Sequence, residues 1–406
     1  MTSPAARPVA AGWVITAILA GLSMLGPFTI DTIFPGFESM GRQFGADALA
    51  MQQVTTVYLA SFAVMSIFHG PISDAVGRKP VMLVGLGGYI VGSVACALAP
   101  TLGWLLVGRA VQGLFAGAAT VISRAVIRDL YEGAQAQRLM SQVMMIFSIA
   151  PAIAPVVGGW ILAIGPWPGI FWFIAGYGVL VTIATVTILP ETLPREQRQP
   201  LRVGSVFSGL WGVARSWPFE RLSLATAFTF SAYIFYVLAA PIVVVDLLGL
   251  GEQDFWMLFV PLVAGMALGS WITGRVAGQI ESHRLVDATM GFVVAAAAVN
   301  VALTMLSPTL PWVLVGPTLL GVAIGVVFPV LQLALLDMFP HHRGAAASMT
   351  AFVILAFNVV IAGVIAPLAT ASLLTAALTS AGLSLLGVLA WVWHRRATAP
   401  APAQGT

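Results

Sequence analysis

Apolar runs of about 20 residues recur twelve times along this chain, and that recurrence leaves few folds open. A helix rises roughly 1.5 Å per residue, so each run matches a hydrocarbon core about 30 Å thick. Inside hydrocarbon every backbone N–H and C=O needs a partner within the protein, so the runs are predicted to be helices. Strand-like alternation is absent, which argues against a barrel. With 59% hydrophobic and 8% charged residues, the chain falls well below the quarter of charged residues of a soluble domain. The expected class is an all-α membrane protein.

The runs fall at 12–34, 51–69, 81–99, 103–127, 139–163 and 169–189, then at 222–245, 255–274, 286–306, 311–336, 345–368 and 373–393. A leader at 1–11 precedes them, a polar, arginine- and proline-containing linker at 190–221 separates the sixes, and a tail at 394–406 follows. The first run is too long for a signal-peptide core and lacks a polar cleavage region behind it, so it is read as a span. The division is therefore an N-terminal six-helix bundle over 12–189 and a C-terminal one over 222–393. Two such halves joined by a basic linker suggest a transporter built from repeats, its substrate site at mid-membrane between them. Direct repetition is faint: Gly269 to Arg284 stands in the second half where Gly70 to Lys79 stands in the first.

Positive charge orients the spans. One set of loops and ends carries Arg7, Arg78, Lys79, Arg128, Arg138, Arg195, Arg198, Arg202, Arg215, Arg221, Arg275, Arg284, Arg343, Arg395 and Arg396, whereas the opposite loops carry only Arg42. Lys/Arg bias in short loops marks the cytoplasmic side, which places both termini there. The net charge of +3 thus has a topogenic origin and gives no reason to invoke nucleic acid. Cys96 is alone, which excludes an internal disulfide and a thiolate metal site. His69, His341 and His342 are expected at cytoplasmic helix ends, with no metal among them.

Arg109 and Arg124 remain, both inside the fourth run. Arg109 lies roughly 9 Å below the outer surface, and an arginine in hydrocarbon costs about 3 kcal/mol unless it faces a wet cavity or a carboxylate. Of fifteen acids, Asp31 is the one away from loops and helix ends, at a depth similar to Arg109. The two are expected to pair. An incidental helix-end carboxylate is the alternative for Asp31, disfavoured because the dipole repels an anion at a C-terminal end. Burial and a neighbouring guanidinium act on a carboxyl group in opposite senses, so Asp31 would be able to load and release a proton. Arg124 either draws anionic substrate into the inner mouth or, as favoured here, snorkels to the cytoplasmic headgroups. Phe28, Gln112, Met145, Tyr233, Tyr236 and Gln332, with Asp31 and Arg109, are candidate substrate contacts. Met144 and the aromatics from Phe230 to Tyr236 suit a pliable cavity or plain packing. Gln332, Asn300 and Asn358 also suit interhelical hydrogen bonds.

Between the second and third runs stands Gly70-Pro-Ile-Ser-Asp74-Ala-Val-Gly77-Arg78-Lys79-Pro80. On physical grounds it is a charged tight turn. At every specified residue it also resembles the G-x-x-x-D-x-x-G-R-[RK] loop of the major facilitator superfamily. That resemblance implies two six-helix bundles and a conformational latch formed by Gly70, Asp74, Gly77, Arg78, Lys79 and Asp129. Arg109-Ala-Val-Gln112-Gly113 is similar to a fourth-span signature of proton-coupled members. Ala150-Pro151-Ala-Ile-Ala154-Pro155-Val-Val-Gly158-Gly159 resembles the exporters' fifth-span motif, with alanines at two usual glycines; close helix packing explains it equally. Arg128-Asp129-Leu-Tyr131, Leu189-Pro190-Glu191-Thr192-Leu193 and Leu336 to Gly344 narrow the resemblance to the bicyclomycin and chloramphenicol resistance (Bcr/CflA) branch of twelve-span drug/proton antiporters. The implied function is export of small amphipathic drugs or toxic metabolites across a bacterial inner membrane. It would be driven by the proton gradient with no cofactor, by a monomer whose partners are the bilayer, protons and a small-molecule substrate. Some exporters carry a second acid two turns earlier in the first span, where this chain has Ser23. The rival is a proton-coupled metabolite transporter for sugars, amino acids or dipeptides. An intramembrane enzyme lacks an HExxH helix or a Ser/His/Asp cluster, and a receptor would need a signalling domain.

Overall fold

The computed structural model describes residues 12–198, 203–240, 242–250, 254 and 256–398. Twelve of its helices are long and apolar enough to cross a membrane. They are α1 (Gly12–Asp31), α2 (Ala48–Val76), α3 (Arg78–Ala97), α4 (Leu102–Leu130), α5 (Gly133–Ile164), α6 (Pro168–Thr187), α7 (Trp217–Leu238), α8 (Trp256–Val276), α9 (Ser282–Leu306), α10 (Trp312–Asp337), α11 (Arg343–Val360) and α12 (Leu373–Thr398). Exposed tryptophans such as Trp13, Trp104, Trp160, Trp217, Trp256 and Trp312 sit at or near span ends, the depth of an interfacial girdle.

Local chemistry sets several boundaries. Asp47 accepts from the N–H of Ala50 and Thr101 from that of Trp104, capping α2 and α4. The first helix ends at Asp31, short of the expected residue 34, because Pro35 restrains the residue before it and opens a short 3-10 turn, Phe34–Gly36. A further helix, Phe37–Phe44, follows. On the side that carries the basic loops, the helices run past their apolar stretches: α2 continues to Val76 and α5 begins at Gly133, not 139. The expected linker holds a helix of its own, Val203–Ala214. The expected leader, and the tail beyond Thr398, lie outside the described residues.

Packing repeats helix for helix. In the first half α4 packs on α1, α2 and α3, and α6 on α1 and α3; in the second, α10 packs on α7, α8 and α9, and α12 on α7 and α9. Adding six to each helix number in the first set yields the second. The halves meet through α2 against α11 and α5 against α8, pairs that the same pseudo-twofold exchanges. Close approach depends on missing side chains: a Cβ on Gly113 would stand 2.2 Å from the carbonyl of Tyr58, and one on Gly325 2.1 Å from that of Met266.

Candidate functional site

Arg109 is fully buried within the first half. Its Nε donates to the carbonyl of Val54 (2.9 Å), and its Nη1 to the carbonyl of Thr29 (3.2 Å) and to Gln112 Oε1 (2.8 Å). The guanidinium carbon lies 4.5 Å from the centre of the Tyr58 ring, a cation–π arrangement. Gln112 continues the network by donating to Ser93 Oγ (2.7 Å). Arg109 thus binds α1, α2 and α4 to one another through neutral acceptors, and no ion pair joins it to Asp31 among the described residues. The expected depth holds, because Arg109 reaches α1 at Thr29, two residues from Asp31. The expected pairing does not, because the guanidinium is taken up by the carbonyls of Val54 and Thr29, by Gln112 and by the Tyr58 ring.

Asp31 instead shares a helix face with Met24 and Phe28 by its spacing, and that face packs on α5 through Ala150 and Ala154. It is partly exposed, and its carboxylate has no hydrogen-bond or ion-pair partner among the described residues. The exporter-like motif of α5 surrounds this end of α1. A Cβ on Gly158 would stand 2.1 Å from the carbonyl of Thr32, so the bare glycine lets α5 touch the backbone just past Asp31. Pro151 and Pro155 lie within the same stretch of α5, and Gly159 has open space beside it.

The structure redistributes the other candidate substrate contacts. Phe28 is buried, packs on Ala150 and Ala154 of α5 and stacks on Tyr177 of α6 with ring centres 5.5 Å apart. Tyr236 accepts from Asn300 Nδ2 (2.8 Å), and Tyr233 lies against Gly321; both are buried inside the second half. Met145 is partly exposed on α5. Gln332 meets Arg124 across the halves, with Arg124 Nη1 donating to its Oε1 (3.4 Å). Arg124 therefore points at the opposite bundle, not at the headgroups. His69 is buried two turns inside α2, beside Gly117, and not at a helix end.

The Gly70–Pro80 segment is two helix ends meeting at one residue, not a loop. Gly77 alone breaks the helix, with φ of +116°, a conformation that strains any residue with a Cβ. Around it the basic side is tied shut. Arg78 Nη1 donates to Asp74 Oδ1 (2.6 Å) and its Nε to Asp129 Oδ2 (2.9 Å). The Asp74 carboxylate also accepts from the N–H groups of Gly344 and Ala345, both at 3.1 Å, and so sits on the N-terminus of α11 in the other half. Arg343 reaches back to Asp129 Oδ1 (3.2 Å), and Arg128 pairs with Asp337. Gly70 touches α11 directly: its N–H donates to Ser348 Oγ (2.9 Å), and a Cβ on it would stand 1.7 Å from the carbonyl of Gly344. Lys79 Nζ donates to the carbonyls of Val186 and Leu189, both at 2.8 Å, holding the end of α6.

Glu191, Arg343 and Asp337 were absent from the sequence-based latch. Glu191 accepts from the backbone N–H of Arg78 and of Lys79, capping α3. Their signals were present: all three lie in the phrases that resemble the Bcr/CflA branch, but partnership across hundreds of residues is not a local pattern.

Comparison with known proteins agrees with this architecture. A family model described as Major Facilitator Superfamily matches residues 14–367. The chain is 29% identical to an uncharacterized MFS-type transporter, YdgK, of Bacillus subtilis, covering 85% of this chain and 86% of that one. It is 27% identical to the bicyclomycin resistance protein homolog of Haemophilus influenzae, covering 87% and 89%. It is 28% identical to multidrug resistance protein MdtL of Escherichia fergusonii, covering 80% and 82%. Among solved structures, the human organic anion transporter MFSD10 superposes with a TM-score of 0.72 at 20% identity, over 95% of this chain and 100% of that one. The proton:xylose symporter XylE superposes with a TM-score of 0.78 at 14% identity, over 96% of each chain.

Proposed function

The chain belongs to the major facilitator superfamily, and from that premise we propose that it is a proton-coupled antiporter. It exports small amphipathic drugs or toxic metabolites across a bacterial inner membrane, with both termini in the cytoplasm. The names of its relatives, a bicyclomycin resistance homolog and a multidrug resistance protein, support export over uptake. The loop arginines support the orientation.

The observation that carries the reading is the carboxylate of Asp31, unpaired among the described residues, at the end of α1, where its neighbours Phe28 and Thr32 pack on the exporter-like stretch of α5. A carboxylate within a span is costly unless it is used, and among the described residues this one has no cation to neutralise it. A proton can fill that role. On this reading the structure represents the state closed to the cytoplasm, with Asp74, Arg78, Asp129 and Arg343 as the latch. Asp31 takes a proton from the outer side, the latch parts, and substrate entering from the cytoplasm displaces the proton inward. Arg109 serves as a fixed anchor of the first bundle and not as the carboxylate's ion partner.

The test is transport by purified protein in liposomes, with substrates first found by a growth screen in an efflux-deficient host. Asp31→Asn should abolish export driven by a pH gradient while leaving the protein inserted and able to bind. Full gradient-driven export by that variant would overturn the role of Asp31. A broad panel without any change in sensitivity would favour a metabolite substrate.

A further inference from the structure

Arg124 and Gln332 hold the same position in the two halves. The glycine contacts set the register: Gly113 rests on Tyr58 as Gly321 rests on Leu262, and Gly117 meets Phe62 as Gly325 meets Met266. Arg124 stands seven residues beyond Gly117, and Gln332 seven beyond Gly325. The pseudo-twofold therefore brings a cation from one half against a neutral amide from the other.

That cation is poorly provided for. Arg124 lies roughly 9 Å inside the basic end of α4, a depth at which an arginine is costly unless it meets water or a carboxylate. From Ala116 to Ile127 every other residue of α4 is buried, whereas Arg124 is partly exposed. Among the described residues it makes one hydrogen bond, 3.4 Å long, to Gln332 Oε1, and no ion pair. Arg109, fully buried among three acceptors and a ring, is the contrast: its donors are used, and those of Arg124 are not.

The carboxylates around it are taken. Asp74 and Asp129 share Arg78, Asp129 also holds Arg343, and Asp337 holds Arg128. When the halves part, Asp74, Asp129 and Arg78 stay together in the first half, while Asp337 moves off with Arg343 in the second. With Arg124 and Arg128 that leaves four arginines to three aspartates at this seam, and Arg124 is the deepest of the four. Opening also breaks the Arg124–Gln332 bond, because it crosses the halves.

We propose that, in the state open on the basic side, Arg124 receives the carboxylate of an amphipathic organic acid, which makes such acids the substrate class. The direction rests on the export reading above: substrate then enters past the latch, and the guanidinium stands just inside it. A guanidinium matches a carboxylate with two parallel hydrogen bonds, and within a span water screens the pair little.

The test is titration calorimetry of the full-length protein in nanodiscs with naphthoate, phenylbutyrate and octanoate, each against its uncharged carboxamide. Saturable binding of at least one acid is expected, with its amide at least about tenfold weaker. Arg124→Gln should weaken that acid about tenfold and leave the amide unchanged, the loss of a charge-assisted pair. Arg124→Lys keeps the charge without the fork, so its acid-to-amide ratio should fall between the two, and it reports on the site if the glutamine variant does not fold. Absence of saturable binding by all three acids, equal binding of acid and amide, or a ratio that neither variant alters overturns the proposal. Equal losses of acid and amide in Arg124→Gln fall under the last of these and mark a merely structural contact. The titrations need no proton gradient, so acid-selective binding without gradient-driven export would sink the antiporter reading and leave this site standing. Gradient-driven export of uncharged compounds that is indifferent to Arg124 would sink the site alone.

Discussion

Arg109 shows what a side chain does when buried with a charge and no counter-ion. Three neutral acceptors and an aromatic face from three helices hold its guanidinium: Thr29 on α1, Val54 and Tyr58 on α2, and Gln112 on α4. Arg109→Lys keeps the charge but loses the planar fork that reaches several acceptors together. We expect it to lower the stability of the purified protein by about 2–4 kcal/mol, because buried carbonyls lose their donor. Chemical denaturation measures this. Gln112→Leu shares the network, so the double variant should lose less than the two singles combined; strict additivity would mean that the residues act separately. The depth of Arg109 was legible in the sequence because residue count fixes rise along a helix. Its partners were not, because they depend on how α1 is seated among α2, α3 and α4, through contacts such as Thr29 Oγ1 on α1 with the Tyr89 hydroxyl on α3 (2.5 Å).

Between elements, the closure of the basic side depends on helices that cross at backbone distance. Gly70 and Gly344 allow it, and nothing larger fits without α2 and α11 moving apart. Gly70→Ala should therefore shift the equilibrium away from the closed state by at least about tenfold, or about 1.4 kcal/mol. Spin-label distances between the basic ends of α2 and α11 report the shift as a longer separation. Gly87→Ala is the control, since a Cβ at that position meets nothing within 4 Å. An unchanged distance in Gly70→Ala would mean that this crossing does not limit closure. The segment around Gly70 was recognisable from its residues, yet its form was not: glycines and a proline read as a loop, whereas α2 accommodates Pro71 and yields only at Gly77. Apolar content marks where a helix meets lipid, not where it stops, so α2 and α5 extend beyond their apolar runs on the basic side.

Across the whole molecule, span number, the division into halves and the side on which charge gathers were all legible, since each follows from composition along the chain. The pairing of α2 with α11 and α5 with α8 was not, because faint internal repetition does not reveal which faces the pseudo-twofold brings together. That pairing carries a last prediction about motion. Arg124 and Gln332 occupy corresponding places on α4 and α10 and meet across the halves, so the two bundles touch near their axis as well as at the latch. If transport requires the halves to part on the basic side, a covalent bond between α5 and α8 should stop it. A Cβ on Gly274 would stand 3.8 Å from that of Ser141, within the roughly 3.5–4.5 Å separation of a disulfide. Cys96 is the single native cysteine and is buried, so it offers no competing thiol. The double variant Ser141→Cys, Gly274→Cys should form the bond on oxidation, lose substrate exchange in liposomes while still binding substrate from the opposite side, and recover exchange on reduction. Exchange at the full rate by the oxidised, cross-linked protein would show that these helix ends stay together throughout the cycle, and the opening would then have to be sought between other helices.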